Sequence, residues 1–199
     1  FFVCENELAR LIRQAIGPAA AQDPGFAPHL FPVVVEVLDR AGMDGFDARD
    51  PLVMRVGEEW VLYYTANSTP ECGNHQVVSV TSKDLTHWGN RKVVFTHPRA
   101  GSFGGPTESP FVIRRGDNYY LFVCDNEWTD VYLSHDPFHW DFDQMNTRIK
   151  SHASEIVRDT DGKWFISHAG WTGGPLDIAP LQWHDGLDDA PTNILPAAK

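Results

Sequence analysis

Residues 104–124 read GGPTESPFVIRRGDNYYLFVC. Apolar and aromatic residues fill 111–113 and 119–123, and the RRGDN between them is typical of a turn, so the stretch predicts a β-hairpin. Glu108 stands at the entrance of this hairpin, ahead of a serine and a proline. Catalytic residues are often carried at the rim of a rigid sheet. Glu108 is therefore a candidate active-site carboxylate.

This hairpin is a copy of an earlier one. Residues 50–64, DPLVMRVGEEWVLYY, match residues 109–123, SPFVIRRGDNYYLFV, without a gap. Each copy is followed by a further apolar strand and by a Ser-x-Asp turn ahead of a tryptophan. A third, degenerate copy spans 155–183. A repeat of about 40 to 50 residues, made of short strands with a recurring aromatic residue, is typical of a β-propeller blade.

The repeat predicts an all-β chain in which residues 47–199 form propeller blades and a C-terminal tail. Three blades are recognisable, at about 47–100, 105–147 and 150–185. Propellers usually close with about four to eight blades. We therefore expect that blades are missing from this chain, that a second chain or a homo-oligomer completes the ring, or that the N-terminal segment caps an open arc. Residues 1–46 are expected to form a helical or irregular N-terminal segment, because apolar residues recur at helical spacing over 5–16.

Composition narrows the class of protein. The chain has 199 residues, 42% of them apolar and 12% aromatic, with a formal charge of −11 and a pI of about 5.1. This acidic balance argues against nucleic acid or an anionic membrane as partner, and it suits a neutral substrate. The sequence shows neither a membrane span nor a signal peptide. Because residue 1 is Phe, we expect a processed chain or a fragment, with an extracellular or periplasmic location favoured over the cytoplasm.

The cysteines and histidines predict no metal ligands. The three cysteines are scattered, and no pair of histidines has the spacing of a metal site. Cys124, at the end of a strand, is expected to be a small buried hydrophobic residue. Five histidines are expected in surface turns: His75, His87, His97, His135 and His139.

Residues 46–183 resemble the five-bladed β-propeller glycoside hydrolases of families 43 and 32. These families include arabinan and xylan hydrolases and the invertase-like fructosidases. Arg49-Asp50-Pro51 is similar to the Arg-Asp-Pro motif of the fructosidase branch. Glu108-Ser109-Pro110 is similar to the Glu-Cys-Pro of that branch or the Glu-Gly-Pro of family 43. Each motif heads a copy of the same hairpin, which makes the pair more specific than either motif alone.

The resemblance implies an O-glycosyl hydrolase acting on furanose- or pentose-containing oligosaccharides of the fructan, arabinan or xylan type. Glu108 would protonate the leaving oxygen, and Asp50 would hold a sugar hydroxyl and stabilise the oxocarbenium-like charge. Arg49 would orient Asp50 or bind a hydroxyl; the alternative is a structural ion pair. No cofactor is required. The resemblance allows a structural calcium ion near a central histidine, for which His152 and His168 are the nearest matches.

The sequence departs from these families at the third carboxylate. The first-blade motif of the fructosidases is not matched, and the nearest string is the QDPG of residues 22–25 in a Pro/Ala-rich stretch. Loss of that nucleophile or base would cost several powers of ten in rate. The alternative function is therefore a catalytically incomplete carbohydrate-binding or assembly propeller fragment.

Aromatic and acidic residues near loops extend the predicted site. Trp128 and Trp171 lie outside the repeat period and are candidates for stacking on a sugar. Glu155 heads the third copy, where it would either bind substrate hydroxyls or make a hydrogen bond between blades. The tryptophans that recur once per repeat are expected in the core between blades: Trp88, Trp140 and Trp183.

Overall fold

A computed structural model describes residues 48–68, 73–100, 105–170 and 174–187. Over these ranges the chain forms eleven strands and one short 3₁₀ helix, Phe142–Gln144. The strands are β1 Arg49–Val56, β2 Glu59–Asn67, β3 Asn74–Ser82, β4 Gly89–Ala100, β5 Glu108–Arg115, β6 Asn118–Asp125, β7 Trp128–Ser134, β8 Met145–Ile149, β9 Ile156–Arg158, β10 Trp164–His168 and β11 Asp177–Pro180. The described ranges contain no helix of a length and hydropathy that would span a membrane.

The strands form three antiparallel sheets, each a meander in chain order. The first sheet is β1-β2-β3-β4, the second β5-β6-β7-β8 and the third β9-β10-β11. The leading strands β1 and β5 lie beside each other, as expected when blades surround a common axis. The predicted all-β propeller fold is confirmed. The helix predicted within 1–46 lies outside the described residues.

The three hairpins share one turn design. An arginine near the end of the leading strand donates from Nε to the carbonyl of the turn glycine and lies over the aromatic ring that begins the next strand. The three arginine, glycine and aromatic sets are Arg55, Gly57 and Trp60; Arg114, Gly116 and Tyr119; and Arg158, Gly162 and Trp164. The glycines have φ of 59°, 58° and 84°, which a residue without Cβ adopts readily. These contacts align the arginine, the glycine and the aromatic residue of the third copy with those of the first two.

Apolar side chains fill the space between the sheets. One cluster joins the first and second sheets, with Tyr63, Phe95, Leu121 and Tyr132 among its buried members. Trp140 belongs to this cluster and donates from its indole to the Tyr119 carbonyl.

A second cluster joins the second and third sheets through Ile113, Phe122 and Ile166, and Trp183 packs against it. Core placement between blades is therefore confirmed for Trp140 and Trp183. Trp88 instead packs on a further cluster within the first sheet.

Each leading strand is entered through a residue with left-handed backbone. Asp50, Ser109 and Ala153 have φ of 56°, 48° and 49°, and each stands five residues before the arginine of its hairpin. The register of β1 and β5 shifts immediately after the first two, which is the signature of a β-bulge. The residues just before them, Arg49, Glu108 and His152, therefore occupy one equivalent position.

The histidine prediction is partly wrong. His87, His135 and His139 are exposed, as expected of turns. His75 and His97 are instead buried on β3 and β4. Burial lowers the pKa of His97, and the neighbouring Arg99 lowers it further.

Candidate functional site

Arg49, Asp50 and Glu108 form one connected group at the start of the two adjacent leading strands. The Arg49 guanidinium donates to Asp50 Oδ2 at 2.7 Å and to Glu108 Oε1 at 2.5 Å. The three side chains are 18%, 29% and 20% exposed. The structure thus brings together three of the residues that the sequence singled out, and it makes Arg49 the bridge between two carboxylates of neighbouring blades. A planar guanidinium with several donors suits this role.

The bulges hold these carboxylates in place. Asp50 Oδ2 accepts a hydrogen bond from the backbone N–H of Ser109 at 2.9 Å. The carboxylate of the first blade is therefore tied to the residue that follows Glu108 in the second. This hydrogen bond joins the two bulges, at both of which the backbone has positive φ, and so fixes the spacing of the acidic groups.

The segment leading into Glu108 is held by the first sheet. Thr65 donates from its hydroxyl to the Thr107 carbonyl at 2.6 Å in a buried contact. Gly105 lies so close to the His75 ring that an added Cβ would stand 2.7 Å from it. The approach to Glu108 therefore requires glycine at that position, and the buried His75 forms its floor.

Cys124 and His152 also lie beside Glu108. The sequence analysis expected Cys124 in the core and named His152 only in connection with calcium, so it predicted neither as a neighbour of Glu108. Cys124 is the cross-strand partner of Glu108 in the β5–β6 register. His152 Nδ1 is 3.1 Å from Cys124 Sγ, and both atoms contact the Asn126 carbonyl. The predicted burial of Cys124 is confirmed, and this burial raises the pKa of its thiol to about 11. The thiol is therefore neutral at physiological pH.

His152 is fixed from behind by the third sheet. Its backbone N–H donates to His168 Nδ1 at 2.8 Å, and its carbonyl accepts from Ala169 N–H at 2.9 Å. The hairpin arginine is the sequence signal that indicates the position of His152. Counting back six residues from Arg158 reaches His152, just as counting back from Arg55 and Arg114 reaches Arg49 and Glu108.

The remaining predicted residues are placed as follows. Trp128 opens β7, one residue beyond the row of Cys124 and Thr129, and its side chain is 39% exposed. It stands at the end of the second sheet that carries Glu108.

Glu155 is exposed. It lies two residues after the left-handed Ala153 and so occupies the strand position of Leu52 and Phe111. Its backbone pairs with Ser167. Trp171 and the string at 22–25 lie outside the described residues.

Calcium does not fit the donors grouped at His152. Calcium takes six to eight oxygen ligands. Among the described residues, the group at His152 offers a thiol sulfur, an imidazole nitrogen and the Glu108 carboxylate. Such a donor set favours softer metal ions. Calcium therefore has no part in the mechanism proposed for this site.

Known structures supply the fold of this site. An exo-β-1,3-galactanase from Phanerochaete chrysosporium, solved with galactose, matches 68% of this chain at a TM-score of 0.55 and 18% identity. A β-1,3-galactosidase of glycoside hydrolase family 43 matches 68% of the chain at a TM-score of 0.53 and 17% identity. The matches cover 35% and 32% of those two proteins, so this chain spans about a third of their length. No family model matches the sequence, and no curated protein matches it. The chain therefore has the fold of part of a family 43 glycoside hydrolase propeller.

Proposed function

We propose that this chain carries the acid half of a glycoside hydrolase site, with Glu108 as proton donor and Asp50 as the stabilising carboxylate. The observation that supports it best is the Arg49 bridge, which holds the two carboxylates on adjacent leading strands. Two half-buried carboxylates on rigid strand ends form the kind of constellation that glycoside hydrolysis uses. The glycoside hydrolase fold gives this proposal its context.

In this mechanism each residue has one task. Glu108 protonates the oxygen of the departing sugar as the glycosidic bond breaks. Asp50 accepts a hydrogen bond from a sugar hydroxyl and stabilises the positive charge that develops on the sugar ring. Glu108 takes up this proton from water before the bond breaks, and Arg49, which donates to both acidic side chains, keeps their separation fixed.

The base or nucleophile on the other face of the sugar has to be a further carboxylate. The third described hairpin presents His152 at the equivalent position, so we propose that this carboxylate comes from another part of the ring. A second copy or another chain that completes the propeller is one source.

For the substrate we propose a neutral furanose- or pentose-containing oligosaccharide of the fructan, arabinan or xylan type. The net charge of −11 disfavours anionic sugars. Trp128, exposed at the same end of the second sheet as Glu108, supplies an apolar face on which a sugar ring can stack. Since two of the similar structures are a galactanase and a galactosidase, galactosides belong in the substrate panel.

The test compares aryl arabinofuranosides, xylosides and galactosides that carry good and poor leaving groups. We expect Glu108→Gln to lower kcat/KM about 10² to 10⁴-fold for the poor leaving groups, because they depend on protonation. The loss should be much smaller for a dinitrophenyl leaving group, which departs without a proton. Glu58→Gln, an exposed carboxylate in the β1–β2 turn, is the matched control. Equal losses for both leaving groups would contradict the acid role of Glu108.

A second candidate function is a sugar-binding or assembly propeller fragment. Two observations favour it. The third hairpin carries His152, and not a carboxylate, at the position of Glu108. Large apolar side chains are exposed in and next to the third sheet: Val157, Leu176 and Ile178. Val157 and Ile178 lie on the sheet face opposite Ile166, which packs toward the second sheet. That outer face suits a further blade.

Calorimetry with arabino- and fructo-oligosaccharides separates the two candidates, together with the mass of the chain in solution. Binding without turnover, in an assembly heavier than one chain, would favour the second.

A further inference from the structure

Glu108, Cys124 and His152 form a compact group of metal-ligand types. One ligand atom from each lies within 4.8 Å of the others. Three separate elements supply them: the start of β5, the end of β6 and the segment before β9. We propose that these three side chains bind a thiophilic divalent metal ion, for which Zn²⁺ is the model.

The donor set selects the class of ion. A thiolate and an imidazole favour zinc and other soft or borderline metals over calcium or magnesium. Three protein ligands leave the fourth position of a tetrahedral ion to water, as in open zinc sites. The group therefore suits an exchangeable ion rather than a closed structural one.

The geometry is close to what such an ion requires. Ligand atoms around tetrahedral zinc stand about 3.3 to 3.8 Å apart, given bonds of about 2.0 to 2.3 Å. Cys124 Sγ and His152 Nδ1 are already 3.1 Å apart. The Glu108 carboxylate needs to approach by up to about 1.5 Å, which a rotation of this glutamate side chain can supply.

The surrounding groups support a cation here. His152 is anchored through its backbone to His168, and anchoring of this kind preserves the direction of a ligand. On binding, the Cys124 thiol gives its proton to water and exchanges its hydrogen bond to the Asn126 carbonyl for a metal–sulfur bond. His152 Nδ1 likewise leaves the Asn126 carbonyl, and the ring proton is then carried by Nε2, so that the Nδ1 lone pair faces the ion. The resulting thiolate and the carboxylates of Asp50 and Glu108 then balance the divalent ion and the Arg49 guanidinium.

A metal ion bound to the Glu108 carboxylate would prevent Glu108 from donating a proton to the leaving sugar. This consequence rests on the proposed function, because it assigns the acid role to Glu108. We expect zinc to inhibit hydrolysis reversibly and a chelator to restore it. The binding itself does not depend on any activity.

The binding test uses Co²⁺, which reports a bound thiolate by a sulfur-to-metal charge-transfer absorption. The full chain is used with Cys4→Ser and Cys72→Ser, so that Cys124 is its sole thiol. We expect the charge-transfer band to appear on titration and to disappear in Cys124→Ser. His152→Ala should weaken Co²⁺ binding at least about tenfold, whereas His135→Ala, an exposed turn histidine, should leave it unchanged.

Absence of the band, or its survival in Cys124→Ser, would overturn the site. If Cys124→Ser fails to fold by near-ultraviolet circular dichroism, Glu108→Gln takes its place, since that change keeps the shape of a side chain that reaches solvent. Unchanged Co²⁺ affinity in Glu108→Gln would then overturn the proposal, and a loss of about tenfold would support it. If Co²⁺ binds as expected but Zn²⁺ leaves hydrolysis unaffected, the acid role of Glu108 is wrong while the metal site stands.

Discussion

The second and third hairpins share a backbone and differ in their chemistry. Ser109 and Ala153 both take left-handed φ, and the arginine five residues later makes the same glycine and aromatic contacts in each. Yet the residue that enters the hairpin is Glu108 in one and His152 in the other. The first hairpin places Arg49 there. A fixed scaffold thus presents three different side chains toward one region.

The difference shows which parts of the repeat are structural. The turn arginine, the turn glycine and the left-handed residue recur because they build the hairpin and its bulge. The residue ahead of the left-handed one makes no such contribution, so it is free to differ in chemistry from blade to blade. The contacts of the second hairpin also include one arginine that neither other hairpin has.

That arginine, Arg115, gives the largest expected effect. It is almost fully buried, stacks on Trp183 and pairs with Asp185 at 2.7 Å. Arg115→Ala removes the ion-pair partner of the mostly buried Asp185. We expect it to lower the free energy of unfolding by about 3 to 5 kcal/mol. Denaturant unfolding monitored by tryptophan fluorescence measures the change.

The neighbouring repeat arginine is the matched control. Arg114 is 45% exposed and makes the shared turn contacts. We expect Arg114→Ala to cost less than about 1 kcal/mol. Equal costs for the two variants would show that the pairing with Asp185 contributes little, and that the second and third hairpins are held together by their apolar cluster instead.

The second prediction concerns the acid side of stability. The hydrogen bond from Arg115 lowers the pKa of Asp185 below its ordinary value. A carboxyl whose folded pKa is lowered contributes stability above its unfolded pKa of about 3.9, and this stability is lost as the pH falls through the folded value. We expect Asp185→Asn to flatten the fall in unfolding free energy between about pH 5 and pH 3.

Asp117→Asn serves as the control for this experiment. Asp117 lies in the β5–β6 turn, fully exposed, with only a 3.8 Å contact to Arg114. In Asp117→Asn, the unfolding free energy should fall with decreasing pH as steeply as in the parent chain. A shallower pH dependence of the unfolding free energy in Asp117→Asn, or an unchanged one in Asp185→Asn, would show that other groups cause the loss of stability in acid.

Sequence reasoning reached the hairpins and two of the carboxylate positions because the first two copies align without a gap. It named His152 only beside an implied calcium ion and did not align it with Glu108, since the third turn is one residue longer. Arg158 and Trp164 are six residues apart, whereas Arg55 and Trp60 are five apart. Because of this insertion, a comparison without gaps does not align the third hairpin with the first two. The contact between Cys124 and His152 joins two blades, so no local pattern indicates it.

The smallest predicted effect tests the left-handed position itself. Ala153 holds φ of 49°, and the Cβ of an ordinary residue disfavours this region by about 1 kcal/mol. Asp50 at the equivalent position has a carboxylate that accepts from the Ser109 N–H, whereas an alanine has no polar side chain to compensate. We expect Ala153→Gly to raise the unfolding free energy by up to about 1 kcal/mol. Asp50→Gly should lower it, because the cross-blade hydrogen bond is lost. Thermal unfolding of both variants measures the two signs, and a destabilised Ala153→Gly would mean that the third hairpin does not share the bulge of the first.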